Sequence, residues 1–243
     1  MPAGRYGSDP VLEALAFLTV FGGARPFTPR AVAWFPWAGA VAGLAVGGVW
    51  WGAAMVLPAG PAAGVALVAD LAVTGMLHVD GLADAADGLL PPMDRQRRLA
   101  VMADPAVGAF GVAVVFVTLL ARWAALAAIT PRVALVVALW TASRATMAVA
   151  LVLGGAARPG GLADTLRGAP RTAVVESSVV ALAAAAALLA GGPGGPAPLA
   201  GVLAGAGVVA LSHRRIGGHT GDVLGACGVV VETVGLVVAA AKW

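Results

Sequence analysis

The chain has 243 residues, of which 60% are hydrophobic and 11% charged, whereas a soluble domain carries about 45–50% apolar and about 25% charged residues. That balance, with a mean hydropathy of +0.93, excludes a disordered chain, a coiled coil and a soluble globular domain, and a single cysteine excludes a disulfide framework. The formal charge of +3 does not mark a nucleic-acid binder, because 14 of the 15 cations are arginines scattered between apolar runs. This is the composition of an integral membrane protein.

In chain order, the first element is 11–21 (VLEALAFLTVF), too short to span and carrying Glu13. It reads as an amphipathic helix on the membrane surface or tucked against a bundle. No basic region and cleavage site precede it, so no signal peptide is expected. Seven apolar runs follow, at 31–57, 62–77, 109–129, 133–153, 173–190, 197–211 and 223–241. A span needs about 20 apolar residues, and backbone in hydrocarbon must pair within its own segment, so the runs read as helices. Run 62–77 is expected to extend through His78. The fold class is all-α, a polytopic transmembrane bundle of about seven spans in a single domain, 1–243.

The connectors alternate between basic and nearly uncharged. Segments 22–30, 78–108, 154–172 and 212–222 carry ten cations, against Arg132 and Lys242 on the other side. The basic side, with Arg5, is expected to be cytoplasmic. GGPGGPAP at 191–198 is a breaker. Trp34, Trp37, Trp50 and Trp51 read as interfacial belts, Cys227 as a packing residue, and Arg122 and Glu176 as snorkelling charges.

The acidic residues are the informative minority. Segment 77–90, LHVDGLADAADGLL, puts Asp80, Asp84 and Asp87 at spacings of four and three, on one helical face. Like charges on one stripe repel, so their company points to a cation. All-oxygen donors suit Mg²⁺ or Mn²⁺ rather than Zn²⁺. An acidic turn in solvent is the ordinary alternative.

A second constellation is HRRIGGHTGDVLG at 213–225. Its glycines allow close backbone approach, Thr220 is placed to cap the last span, and the N–H groups at that helix start suit an anion. His219, Thr220 and Gly221 are its candidate substrate contacts, with Asp222 at the helix mouth. Asp104 ends an interfacial helix expected from Asp94 to Met102. Ser143 and Arg144 fall inside the run 133–153, where a cation is costly and usually faces a polar site. Arg144 is a candidate anion clamp, or else the partner of Asp70 or Glu232. Carboxylates and arginines at one mouth of a bundle suit a membrane enzyme handling diphosphates. A transporter would place ionisable groups near the midplane beside broken helices.

These residues resemble the cobalamin synthase (adenosylcobinamide-GDP ribazoletransferase) family. The likeness runs along nearly the whole chain: FPWAG at 35–39, HVDGLADAADG at 78–88, RLAVMAD at 98–104, GAFG at 108–111, SRA at 143–145 and GGHTGDVLGA at 217–226. It implies an inner-membrane, Mg²⁺-dependent transferase that joins adenosylcobinamide-GDP to α-ribazole or its 5′-phosphate, releasing GMP, late in vitamin B12 assembly. Asp80, Asp84 and Asp87, with Asp104 or Asp222, would hold the metal, and an aspartate (Asp84 or Asp87) or His78 would be the general base. Two departures stand out. Where the family's pattern has two basic residues and a serine around Asp104, this chain has Ala103, Ala106 and Pro105, which turns attention to Arg95, Arg97 and Arg98 as phosphate contacts, and Val229 replaces an acidic residue, with Glu232 kept. A CDP-alcohol-type phosphotransferase is the nearest alternative, although Asp80-Gly81 is not followed by that family's pattern. A cation or corrinoid transporter is the alternative from another class.

Overall fold

The computed structural model describes residues 9–166, 168–190 and 194–241. Arg5, Arg167, Lys242 and the first three residues of the breaker stretch lie outside the described residues. The helices are α1 (Pro10–Leu18), α2 (Phe35–Ala54), α3 (Ala59–Val73), α4 (Leu77–Leu89), α5 (Arg95–Val101), α6 (Ala109–Ala128), α7 (Val133–Leu153), α8 (Leu162–Thr165), α9 (Arg171–Leu188), α10 (Ala197–Ile216) and α11 (Gly221–Ala239). A 3₁₀ stretch, Pro29–Trp34, leads into α2. Among the described residues the only strand-like pairing is an isolated bridge between Ala156 and His219.

Six elements are long and apolar enough to cross a membrane: Pro29–Ala54, α6, α7, α9, α10 and α11. The architecture is the all-α polytopic bundle expected. The second apolar run departs from its reading. α3 has 15 residues, about 22 Å at the helical rise, short of a hydrocarbon core of about 30 Å. The chain then turns through 89° into α4. Gly75 and Met76 make that turn with φ of 57° and 60°, where glycine is unstrained and methionine is not. His78 therefore belongs to α4 and not to an extended span.

α7 and α11 form the centre, each 72% buried over its apolar window, while α6 and α9 are 22% buried and face outward. α2 lies against α7 where Gly39 meets the backbone of Trp140 and Gly43 meets that of Val137. Small residues let helices approach when lipid supplies no hydrophobic drive. Trp50 is 1% exposed in this core, which corrects its reading as a belt residue; Trp34, Trp37 and Trp51 stay exposed. Cys227 is buried and packs against Gly205.

α1 is tucked in. Its Glu13 accepts from the backbone N–H and hydroxyl of Thr28, and Phe17 stacks on Phe27 and Phe35 with centroids 4.3 and 5.8 Å apart. α5 forms as expected, with the Asp94 carboxylate accepting from the N–H of Arg97.

Candidate active site

α4 does not run along the bundle. It crosses the ends of α6 and α11, and its sequence explains how. A Cβ on Gly81 would come within 3.0 Å of the Asp222 backbone, and one on Gly225 within 3.3 Å of the His78 Cα. A side chain at either position would press on the backbone it faces. The crossing sets Asp80 and His78, on the first turn of α4, beside Asp222, on the first turn of α11.

The acidic stripe dives from solvent inward: Asp80 is exposed, Asp84 half-buried and Asp87 buried. Partial burial, then the carboxylates of Asp222, Asp80 and Asp87, push Asp84 up to a pKa of about 6. Asp87 has a different task. Its two oxygens accept the N–H groups of Gly108 at 2.7 Å and Gly111 at 2.9 Å, which closes the open N-terminus of α6. Asp104 is exposed and accepts from the N–H of Ala106 in its own turn. Among the described residues, no three His, Cys, Asp or Glu side chains gather closely enough to hold one ion by themselves.

A cavity of about 270 Å³ opens at the α4–α11 crossing. Asp80, Asp222, His78 and Arg158 supply its polar wall, and Phe17, Phe35, Met147 and Leu151 its apolar one. Phe35 starts α2, Leu151 lies near the end of α7 and Asp222 starts α11, so the cavity sits at one end of the bundle. In the sequence Arg158 is one of the ten connector cations and nothing more. The signal that finds it is tertiary: His219 N–H donates to the Gly155 carbonyl and Ala157 N–H to the His219 carbonyl, which ties the 155–158 segment to the HTGD turn.

Within that turn Thr220 caps α11 as expected, its hydroxyl oxygen accepting from the N–H of Val223, while the hydroxyl donates to Asp222 at 3.1 Å. Gly221 lines the cavity. His219 is buried against Gly154, and burial, with His213 nearby, lowers its pKa to about 4, so the ring is neutral.

Two of the arginines expected at phosphate bond the frame in this structure. The buried Arg98 donates to the carbonyls of Gly88 and Leu89, closing the C-terminus of α4. Arg95 donates to the carbonyls of Ile216 and Ala157, closing α10 and the 155–158 segment. Each satisfies carbonyls that a helix end leaves open. Arg97 stays exposed.

Arg144 is corrected from anion clamp to ion-pair partner. It bonds Glu232, donates to the Ser143 hydroxyl at 2.8 Å, and lies 3.5 Å from Nδ1 of His78. Ser143 in turn donates to the carbonyl of Gly228 at 3.1 Å. Glu232 also pairs with Arg122, which reaches Asp70 at 2.7 Å and lies over the ring of Trp140. Arg122 is 1% exposed, so it does not snorkel. Two cations and two anions close a neutral chain through α3, α6, α7 and α11. The space beside its Asp70–Arg122 half is about 10 Å³, room for at most one water, so that half is packed as a strut.

The model of the cobalamin-5-phosphate synthase family matches residues 10–240. The chain is 38% identical to the adenosylcobinamide-GDP ribazoletransferase of Bradyrhizobium diazoefficiens, over 94% of this chain and 92% of that one. It is also 38% identical to the protein of that name in Mesorhizobium japonicum, covering 94% and 93%. The likeness to the one in Chlorobaculum parvum is 34%, covering 91% and 89%. No solved structure matches the chain. With the motifs at 78–88 and 217–226 meeting around one cavity and the match running from α1 to α11, the chain belongs to the cobalamin-5-phosphate synthase family.

Proposed function

We propose that the protein joins adenosylcobinamide-GDP to α-ribazole or its 5′-phosphate, releasing GMP, at the cytoplasmic end of a bundle set in the inner membrane. The observation that carries this reading is the convergence of Asp80, Asp222, His78 and Arg158 in one cavity with an apolar wall, at an end of the bundle. Arginines crowd the connectors of that end, which by the positive-inside rule faces the cytoplasm.

The donor set fits Mg²⁺. Asp80 and Asp222 face one cavity, and Asp84 is repelled by both. That three protein donors do not form a closed cage suits an ion that takes one or two carboxylates and fills its shell with water and substrate phosphate. Bound at Asp80 and Asp222, it would neutralise charge on the diphosphate. Arg158 balances part of the remaining charge. Asp84, one turn beyond Asp80 and raised to a pKa of about 6 by burial and its carboxylate neighbours, would accept the proton of the attacking ribazole hydroxyl. The hydroxyl oxygen bonds to the phosphorus bearing the cobinamide arm, the bridging P–O bond breaks, and GMP leaves with the bridging oxygen.

The test is turnover by purified protein in nanodiscs given adenosylcobinamide-GDP, α-ribazole and MgCl₂. GMP is expected in equal amount to the joined corrinoid, with loss in Asp80→Asn and in Asp222→Asn. GMP release that is independent of ribazole, or no GMP at all, overturns the reading.

A further inference from the structure

The buried quartet ends on the cavity. Asp70 holds Arg122, Arg122 holds Glu232, Glu232 holds Arg144, and a terminal nitrogen of Arg144 lies 3.5 Å from Nδ1 of His78. A guanidinium has only donors, so it can meet an imidazole only at a nitrogen with a free lone pair. Taken as a hydrogen bond, that contact puts the ring proton of His78 on Nε2. Nε2 is itself buried and meets no hydrogen-bond partner, and His78 lines the cavity. An orphaned buried donor is costly unless a ligand takes it up.

We propose that Arg144, held by Glu232, is a positioning residue for His78, donating to its Nδ1 so that Nε2 offers an N–H to an anionic oxygen of the substrate. The inference rests on the proposed transferase reading and deepens it: His78 is a donor, not the general base, and the membrane-buried charges set its tautomer. Ser143 supports the same arrangement, because its hydroxyl oxygen accepts from Arg144 while its O–H donates to the Gly228 carbonyl. On the α4 side, Asp80 is the carboxylate that lines the cavity, with Asp84 one turn further along the same face.

Substitution at His78 separates donor from base. Glutamine supplies an N–H without basicity, so His78→Gln is expected to keep kcat within about tenfold of wild type, and His78→Ala to lose about 10²-fold, the usual cost of one transition-state donor. A His78→Gln enzyme as inactive as His78→Ala overturns the proposal. Arg144→Gln alone leaves a buried carboxylate unpaired and risks misfolding. The neutral pair Arg144→Gln with Glu232→Gln keeps Arg122 with Asp70, and is expected to insert and melt as one species with lowered kcat and KM changed less than twofold. ¹⁵N NMR of the histidines in nanodiscs, with His78→Gln to assign the signal, reads the tautomer without substrate. Nε2–H in wild type, lost as the single form in the double variant, supports the inference. Nδ1–H in wild type overturns it even if GMP is released, and a correct tautomer without GMP release overturns only the transferase reading.

Discussion

Asp84 shows how one residue takes its character from its neighbours. Partial burial and three carboxylates raise its pKa to about 6, above the ordinary carboxylate range. A raised folded-state value favours the protonated fold, so this contribution to stability is present at acid pH and lost as pH rises through about 6. In Mg²⁺-free detergent, Asp84→Asn should therefore melt higher than wild type at pH 7.5 and at about the same temperature at pH 4.5, while turnover is abolished. Added Mg²⁺ should raise the wild-type melting temperature and shrink the gap. A variant that melts lower than wild type at pH 7.5 would show that the stripe is not self-repelling. Asp87, three residues on, is the counter-case: its charge is answered by two backbone N–H groups at 2.7 and 2.9 Å.

At the scale of elements, α4 is a short helix fastened at every point. Gly81 and Gly225 let it cross α11, Asp87 fastens it to α6, and Arg98 closes its C-terminus. Arg98→Ala leaves two buried carbonyls unmet, which should destabilise the protein by about 1–3 kcal/mol. A thermal shift in nanodiscs reads this, and KM for the GDP-bearing substrate should stay within about twofold for the folded fraction. A large rise in KM without a thermal shift would return Arg98 to phosphate binding. Asp87→Ala is expected to act in the same direction through α6, by about 1–2 kcal/mol for the lost cap.

The whole molecule places its polar groups in two layers. The quartet of Asp70, Arg122, Glu232 and Arg144 braces the interior, and the cavity lies at the end where α2 and α11 begin and α7 closes. The proposed orientation is checked with single cysteines in a Cys227→Ala background. Gly195→Cys, between α9 and α10, should label with an impermeant maleimide in intact cells, and Ala103→Cys, after α5, only once the membrane is opened. The reverse result would remove the cavity from the cytoplasm and with it the access to GMP and ribazole.

Composition, apolar run length, charge alternation and capping residues are local properties, and by themselves they determined the all-α polytopic bundle, the α5 helix and the Thr220 cap. The two motif segments were equally legible, because their spacing and resemblance lie in contiguous residues. Three things needed tertiary structure. The break at Gly75–Met76 took His78 off the second span, since a positive φ at methionine leaves no composition signal. Arg98, Arg95 and Asp87 turned to helix ends, because which carbonyl or N–H is left open depends on how helices pack. Arg122 and Arg144 found Asp70 and Glu232 across 52 and 88 residues of chain. A charge inside an apolar run announces that a partner exists, but only the packed bundle decides which partner lies within reach.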